Sequence, residues 1–166
     1  MTYLKFTISI FIILAASRFI PHPPNFTSLL AISFYIPAML GINYIPALLI
    51  SFFITDLIIG MHNLTFFTWG SIIIIGLLSK YFKNGYFNRI CGSLIGVCIF
   101  FIITNFGVWV LDTSLYSKNF EGLISCYFMA IPFFGNNLVA TILFSSIIEL
   151  LYKVYRDYEY NNSNST

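Results

Sequence analysis

The stretch ICGSLIGVCIFFIITNFGVWVL, Ile90–Leu111, runs for 22 residues without a charged side chain. At 1.5 Å of rise per residue such a segment covers the ~30 Å hydrocarbon layer of a bilayer. Its flanks differ sharply. Lys80, Lys83 and Arg89 crowd the N-terminal side and Asp112 stands at the C-terminal side. A long apolar run with cations at one end reads as a membrane-spanning helix whose basic end faces the cytoplasm.

Working outward, the rest of the chain has the same character. Of its 166 residues 58% are hydrophobic and 8% charged, and the mean hydropathy is +0.87. Soluble domains carry about a quarter charged residues, so a water-soluble fold is excluded. Further apolar segments lie at about Leu4–Ile20, Phe26–Leu40, Ile45–Ile59, Leu64–Phe82 and Phe133–Tyr155. Pro21-His22-Pro23-Pro24-Asn25 ends the first of these, because proline removes backbone donors and disfavours helix before it. The second and third are short for a full crossing, so they read either as two tilted spans or as one re-entrant hairpin. The expected fold is all-α: a single transmembrane bundle of about six spans over residues 1–156, followed by a disordered polar tail, 157–166.

Lysine and arginine set the orientation. Lys80, Lys83 and Arg89, and then Lys153 and Arg156, belong to the cytoplasmic side, and six spans bring Lys5 to the same side. Both termini are then cytoplasmic. The opposite end collects Arg18, His22, Asn25, Asp56, His62, Asn63, Asp112, Lys118 and Glu121. A net charge of +2 with scattered cations excludes nucleic acid as a partner. Cys91, Cys98 and Cys126 form no Cys-x-x-Cys and read as buried small hydrophobes.

Three features could carry chemistry at that opposite end. Asp56 is a carboxylate at the end of an otherwise apolar segment, costly there unless it is paired or faces water. It reads equally as a ligand contact or as a salt bridge to Arg18. On the fifth span, Cys91, Cys98, Asn105, Trp109 and Asp112 recur on one helical face that grows more polar outward. Gly92 and Gly96 make a small-xxx-small pair that lets a neighbouring helix approach. Tyr127 and the adjacent amides Asn136 and Asn137 stand at the start of the last span, where one amide can cap the helix and the other stays free. Near the far end of that span, Glu149 stands four residues before Lys153, a spacing suited to an ion pair.

Catalytic signatures are scarce. The sequence holds no His-Glu-x-x-His, no phosphate-cradling glycine loop and only two histidines, so neither an enzyme nor a metal or other cofactor is expected.

The words RFIPHPPNFT (Arg18–Thr27), ITDLIIGMH (Ile54–His62) and NFGVW (Asn105–Trp109) resemble a family of uncharacterised bacterial inner-membrane transport proteins, over nearly the whole chain. That family is in turn similar to the S components of energy-coupling-factor transporters, six-helix proteins that capture vitamins and work with a shared ATPase module. The resemblance implies a solute site built from the loop after the first helix and the outer halves of later helices: Arg18, His22, Asn25, Asp56, His62, Asn105, Trp109, Tyr127, Asn136 and Asn137. S components also tend to carry Ala-x-x-x-Ala for docking the coupling subunit. Here Ala15 and Ala16 are adjacent instead, which leaves open an ATPase module, another membrane partner, or action alone. The expected function is binding and uptake of a small vitamin- or cofactor-like solute at the bacterial inner membrane. The alternative is a non-transporting scaffold subunit of a cell-envelope or cell-shape complex, with Pro21–Pro24 and Asp112–Glu121 as its contact surface.

Overall fold

A computed structural model describes residues 2–112 and 114–163. The described residues form seven α-helices: α1 (Thr2–Phe19), α2 (Leu29–Leu40), α3 (Ile45–Ile59), α4 (Thr65–Phe82), α5 (Tyr86–Leu111), α6 (Phe120–Met129) and α7 (Ile131–Ser163), with a 3₁₀ turn, Ile42–Tyr44, between α2 and α3. No strand occurs among the described residues. Among the described residues four stretches are long and apolar enough to cross a membrane: Ile42–Ile59, Thr65–Phe82, Tyr86–Leu111 and Ile131–Tyr158.

The breaks fall where backbone chemistry requires them. Gly41, Gly60 and Gly85 end or precede helices with φ of 103°, 121° and 85°, a region L side chains rarely adopt. Asn25 turns the proline-rich strap at φ 64°, which asparagine tolerates better than most residues. Of the tail expected to be disordered, 157–166, residues 157–163 continue α7 as helix, and 164–166 lie outside the described residues. Extending a helix already nucleated costs far less than starting one, so the polar residues propagate it.

α2 is the centre of the bundle. Leu29 and Ile32 join Leu14, Ala47, Leu48, Phe52 and Ile72 in one core, while Leu30, Phe34 and Tyr35 join Ile75 and Val97 in a second. Helix α2 is therefore apolar all round because it is covered all round. Close approach is arranged by glycine: a Cβ on Gly92 would stand 2.6 Å from the Phe34 ring and from Phe82 Cβ, and one on Gly96 would stand 3.1 Å from Ile75. The sequence pair Gly92/Gly96 thus faces α2 and α4.

Polarity is inverted relative to a soluble fold. Ile54, Leu57, Ile58, Phe66, Leu77, Ile95, Ile102, Val139, Leu143 and Leu150 are exposed. Ser33, Ser51, Ser71, Ser79 and Ser93 are buried, and each donates to a carbonyl three or four residues back, at 2.6 to 2.9 Å. An apolar exterior with self-satisfied hydroxyls inside suits lipid as the surrounding solvent. Of the three cysteines only Cys126 is buried; Cys98 is exposed on α5 and Cys91 half-buried.

Candidate solute cavity

The end of α1, the start of α2, the end of α3, the start of α4, the end of α5 and the start of α7 surround one cavity of about 580 Å³. Arg18, His22, Asn25, His62, Asn105 and Asn137 line it. Six of the ten residues expected at the site therefore converge, from segments more than a hundred positions apart. Aromatic walls come from Phe52, Phe100, Phe101, Phe133 and Tyr116, and hydroxyls from Thr27, Thr68 and Thr104. The three threonines were not among the residues expected at the site. Thr65, Thr68 and Ser71, three residues apart on α4 and all buried, were the signal that could have found Thr68.

The strap between α1 and α2 closes over this end. Ser17 Oγ lies 2.7 Å from Ser28 Oγ and accepts the Ser28 amide at 3.2 Å, tying the strap's two ends together. The Phe26 amide donates to the Pro23 carbonyl at 3.0 Å, forming the turn that carries Asn25. His22 Nδ1–H donates to the Pro23 carbonyl at 2.8 Å. On α5, Asn105 Nδ2–H donates to the Phe101 carbonyl at 2.8 Å, which leaves its amide oxygen for another partner.

The other four residues expected at the site do not line the cavity. Asp56 is fully buried behind it: Oδ1 is 2.7 Å from Arg18 Nη2, and Oδ2 accepts Trp69 Nε1–H at 3.1 Å. Arg18 also donates to Thr55 Oγ1 and lies over the Phe52 ring, 4.6 Å from its centroid. The carboxylate thus serves the arginine, and the arginine meets the cavity. Asn136 Nδ2–H donates to the Pro24 carbonyl at 2.9 Å, so it anchors the strap. Tyr127 OH donates to the Ile102 carbonyl at 2.7 Å and borders a separate apolar groove with Phe128 and Ile131. Trp109 Nε1–H donates to the Ser117 carbonyl at 3.0 Å, turned toward the loop after α5.

That loop explains the polar stripe on α5. Helix α6 returns along the upper half of α5, where Cys126 Sγ reaches the Asn105 carbonyl at 3.4 Å. The face bearing Asn105, Trp109 and Asp112 is covered by α6 and the loop, whereas Cys98, lower on the same face, is bare. Asp112 Oδ1 accepts the amides of Ser114 and Leu115 at 2.8 and 3.0 Å and the Ser114 hydroxyl at 2.9 Å. These donors hold its carboxyl below the usual carboxylate range, the Leu115 amide contributing most. Lys118 caps the Trp109 and Asp112 carbonyls.

At the far end of the bundle Glu149 pairs with Arg89, not with Lys153: Nε and Nη2 each lie 2.6 Å from a carboxylate oxygen. This fork-to-fork contact is the strongest geometry available to the two groups. It outcompetes a lysine one turn away on the exposed face. No group of three or more potential metal ligands occurs among the described residues.

No curated protein and no solved structure matches this chain. One family model does, over residues 2–162 of the 166. The chain accordingly belongs to that family, described as a family of unknown function (DUF6580).

Proposed function

We propose that this protein is a membrane-embedded binding and uptake component for a small vitamin- or cofactor-like solute, with its site in the 580 Å³ cavity. One observation carries the reading. Arg18, two histidines and three asparagines, from three helices, the strap and the loop after α3, meet around a space of ligand size, amid aromatic walls. Polar groups gathered inside a membrane bundle mark solute or ion pathways by default.

In this reading α1 to α5 make five crossings and α6 with α7 a broken sixth, with both termini cytoplasmic and the cavity on the opposite side. The basic residues Lys80, Lys83 and Arg89 lie at the end away from the cavity, which agrees with the charge rule for orientation. The resemblance of the sequence words to S components implies the same arrangement. A scaffold is less favoured, because Pro24, Ser114 and Ser117, within its candidate contact surface, bond inside the chain.

The test is thermal stability of the detergent-purified chain against a panel of vitamins and nucleobases. A solute at a hundredfold excess over Kd stabilises by about 2.7 kcal/mol. That gain is expected for at least one compound and should be lost in Asn105→Ala and Asn137→Ala. A flat response across the panel, with crosslinks to envelope proteins instead, favours the scaffold.

A further inference from the structure

Below the cavity floor, α7 carries polar residues at every fourth position: Asn137, Thr141, Ser145 and Glu149. All four are buried, with exposures of 7, 0, 0 and 7%. Four residues of helix rise about 6 Å, so the stripe descends from the cavity, which Asn137 lines, to the Arg89–Glu149 pair in three steps. Each step is one that a single water bridges. Ser93 of α5 lies alongside, its hydroxyl 3.3 Å from that of Ser145.

One hydroxyl on this line lacks a partner: Thr141 Oγ1 is buried and makes no hydrogen bond. Tyr35, from α2, turns its hydroxyl toward Glu149 and Ser145, near Arg89. An unpaired buried hydroxyl is rare, and internal water is its ordinary partner. Elsewhere in the core, Ser33, Ser51, Ser71 and Ser79 bond back to their own helices. Thr141 does not.

We infer that Asn137, Thr141, Tyr35, Ser145 and Glu149 form a hydrated proton path from the cavity to the opposite end of the bundle. Hydroxyls relay a proton because each both accepts and donates. Among the residues named on the line only Glu149 is an acid that can hold one. The titratable groups around it are Arg89 on α5, Tyr35 on α2 and, on its own helix, Tyr152, whose ring lies 5.4 Å from the Arg89 guanidinium. A proton entering from cavity water is taken by Glu149 as one of the two Arg89 contacts is given up. Its release to water at the basic end restores the pair.

The experiment uses the full chain in liposomes loaded with a pH-sensitive dye, with a valinomycin-clamped potassium gradient driving protons inward. Vesicles holding the native chain should acidify faster than protein-free vesicles. E149Q should fall to the protein-free rate, and Y35F and T141V should slow several-fold. T141V replaces a hydroxyl by a methyl of similar volume, so it tests the path even where E149Q fails to fold. Native vesicles no faster than empty ones, or T141V as fast as the native chain, would overturn the proposal. The assay needs no solute, so its outcome is separate from the stabilisation test of the cavity.

Discussion

Arg18 and Asp56, 38 positions apart on α1 and α3, form a buried ion pair at 2.7 Å with side-chain exposures of 14% and 0%. Only the arginine reaches the cavity. Removing the acid strands a cation, and breaking a buried pair from one side costs about 3–5 kcal/mol. Asp56→Ala should therefore lower the thermal midpoint strongly, while the double variant Arg18→Met with Asp56→Leu should recover much of that loss. If Asp56→Ala leaves the midpoint unchanged, the pair does not join α1 to α3.

Gly92→Ala should destabilise through overpacking alone. Its Cβ would fall 2.6 Å from both the Phe34 ring and Phe82 Cβ, and forcing such contacts costs about 1–3 kcal/mol. Gly70→Ala, where nothing lies within 4 Å, is the matched control and should be neutral or slightly stabilising. Equal midpoints for the two variants would contradict the α2–α5 contact described above.

Asn136→Ala removes the strap's tether to α7. The lost hydrogen bond to Pro24 is worth about 1 kcal/mol, so global stability should change little. Cleavage of the 20–28 strap by an added protease should nonetheless speed up, because local opening is governed by local contacts. Asn137→Ala, which leaves that bond in place, should not alter the cleavage rate.

The loop after α5 should loosen in acid. Asp112 has its pKa depressed in the folded chain, so its contribution is complete above the ordinary carboxylate range and lost as pH falls through the lowered folded value. Hydrogen exchange at the Ser114 and Leu115 amides, corrected for intrinsic rates, should rise as the carboxylate is protonated. In Asp112→Asn the protection should be weaker at neutral pH and lose most of its acid dependence.

Replacing Glu149 by leucine alone should destabilise more than replacing Arg89 and Glu149 together by methionine and leucine. The first change leaves the guanidinium facing an apolar neighbour, and the second removes both charges. Thermal midpoints of the two variants in one detergent make the comparison.

Much of the fold was legible from local chemistry. The segments Ile45–Ile59 and Leu64–Phe82 coincide with α3 and α4 to within a residue, since proline and glycine punctuate helices through their own φ angles and missing donors. α5 begins four residues earlier than expected, at Tyr86, because Gly85 and not the first apolar residue opens it. The candidate site was legible only in part. Arg18, His22, Asn25, His62, Asn105 and Asn137 came together, whereas Asp56, Trp109, Tyr127 and Asn136 turned to partners within the chain.

The amino-acid sequence by itself determined that this is an apolar helical chain, where most helices begin and end, and which polar groups share one end, because segment length, hydropathy and backbone restriction are local properties. Partnership was decided by the tertiary structure alone. Whether Asp56 meets a ligand or Arg18, and whether Glu149 meets Lys153 or Arg89, depends on how far each helix is rotated about its axis. That rotation is set by packing around α2, through contacts such as Gly92 on Phe34, which link residues that no periodicity within one helix relates.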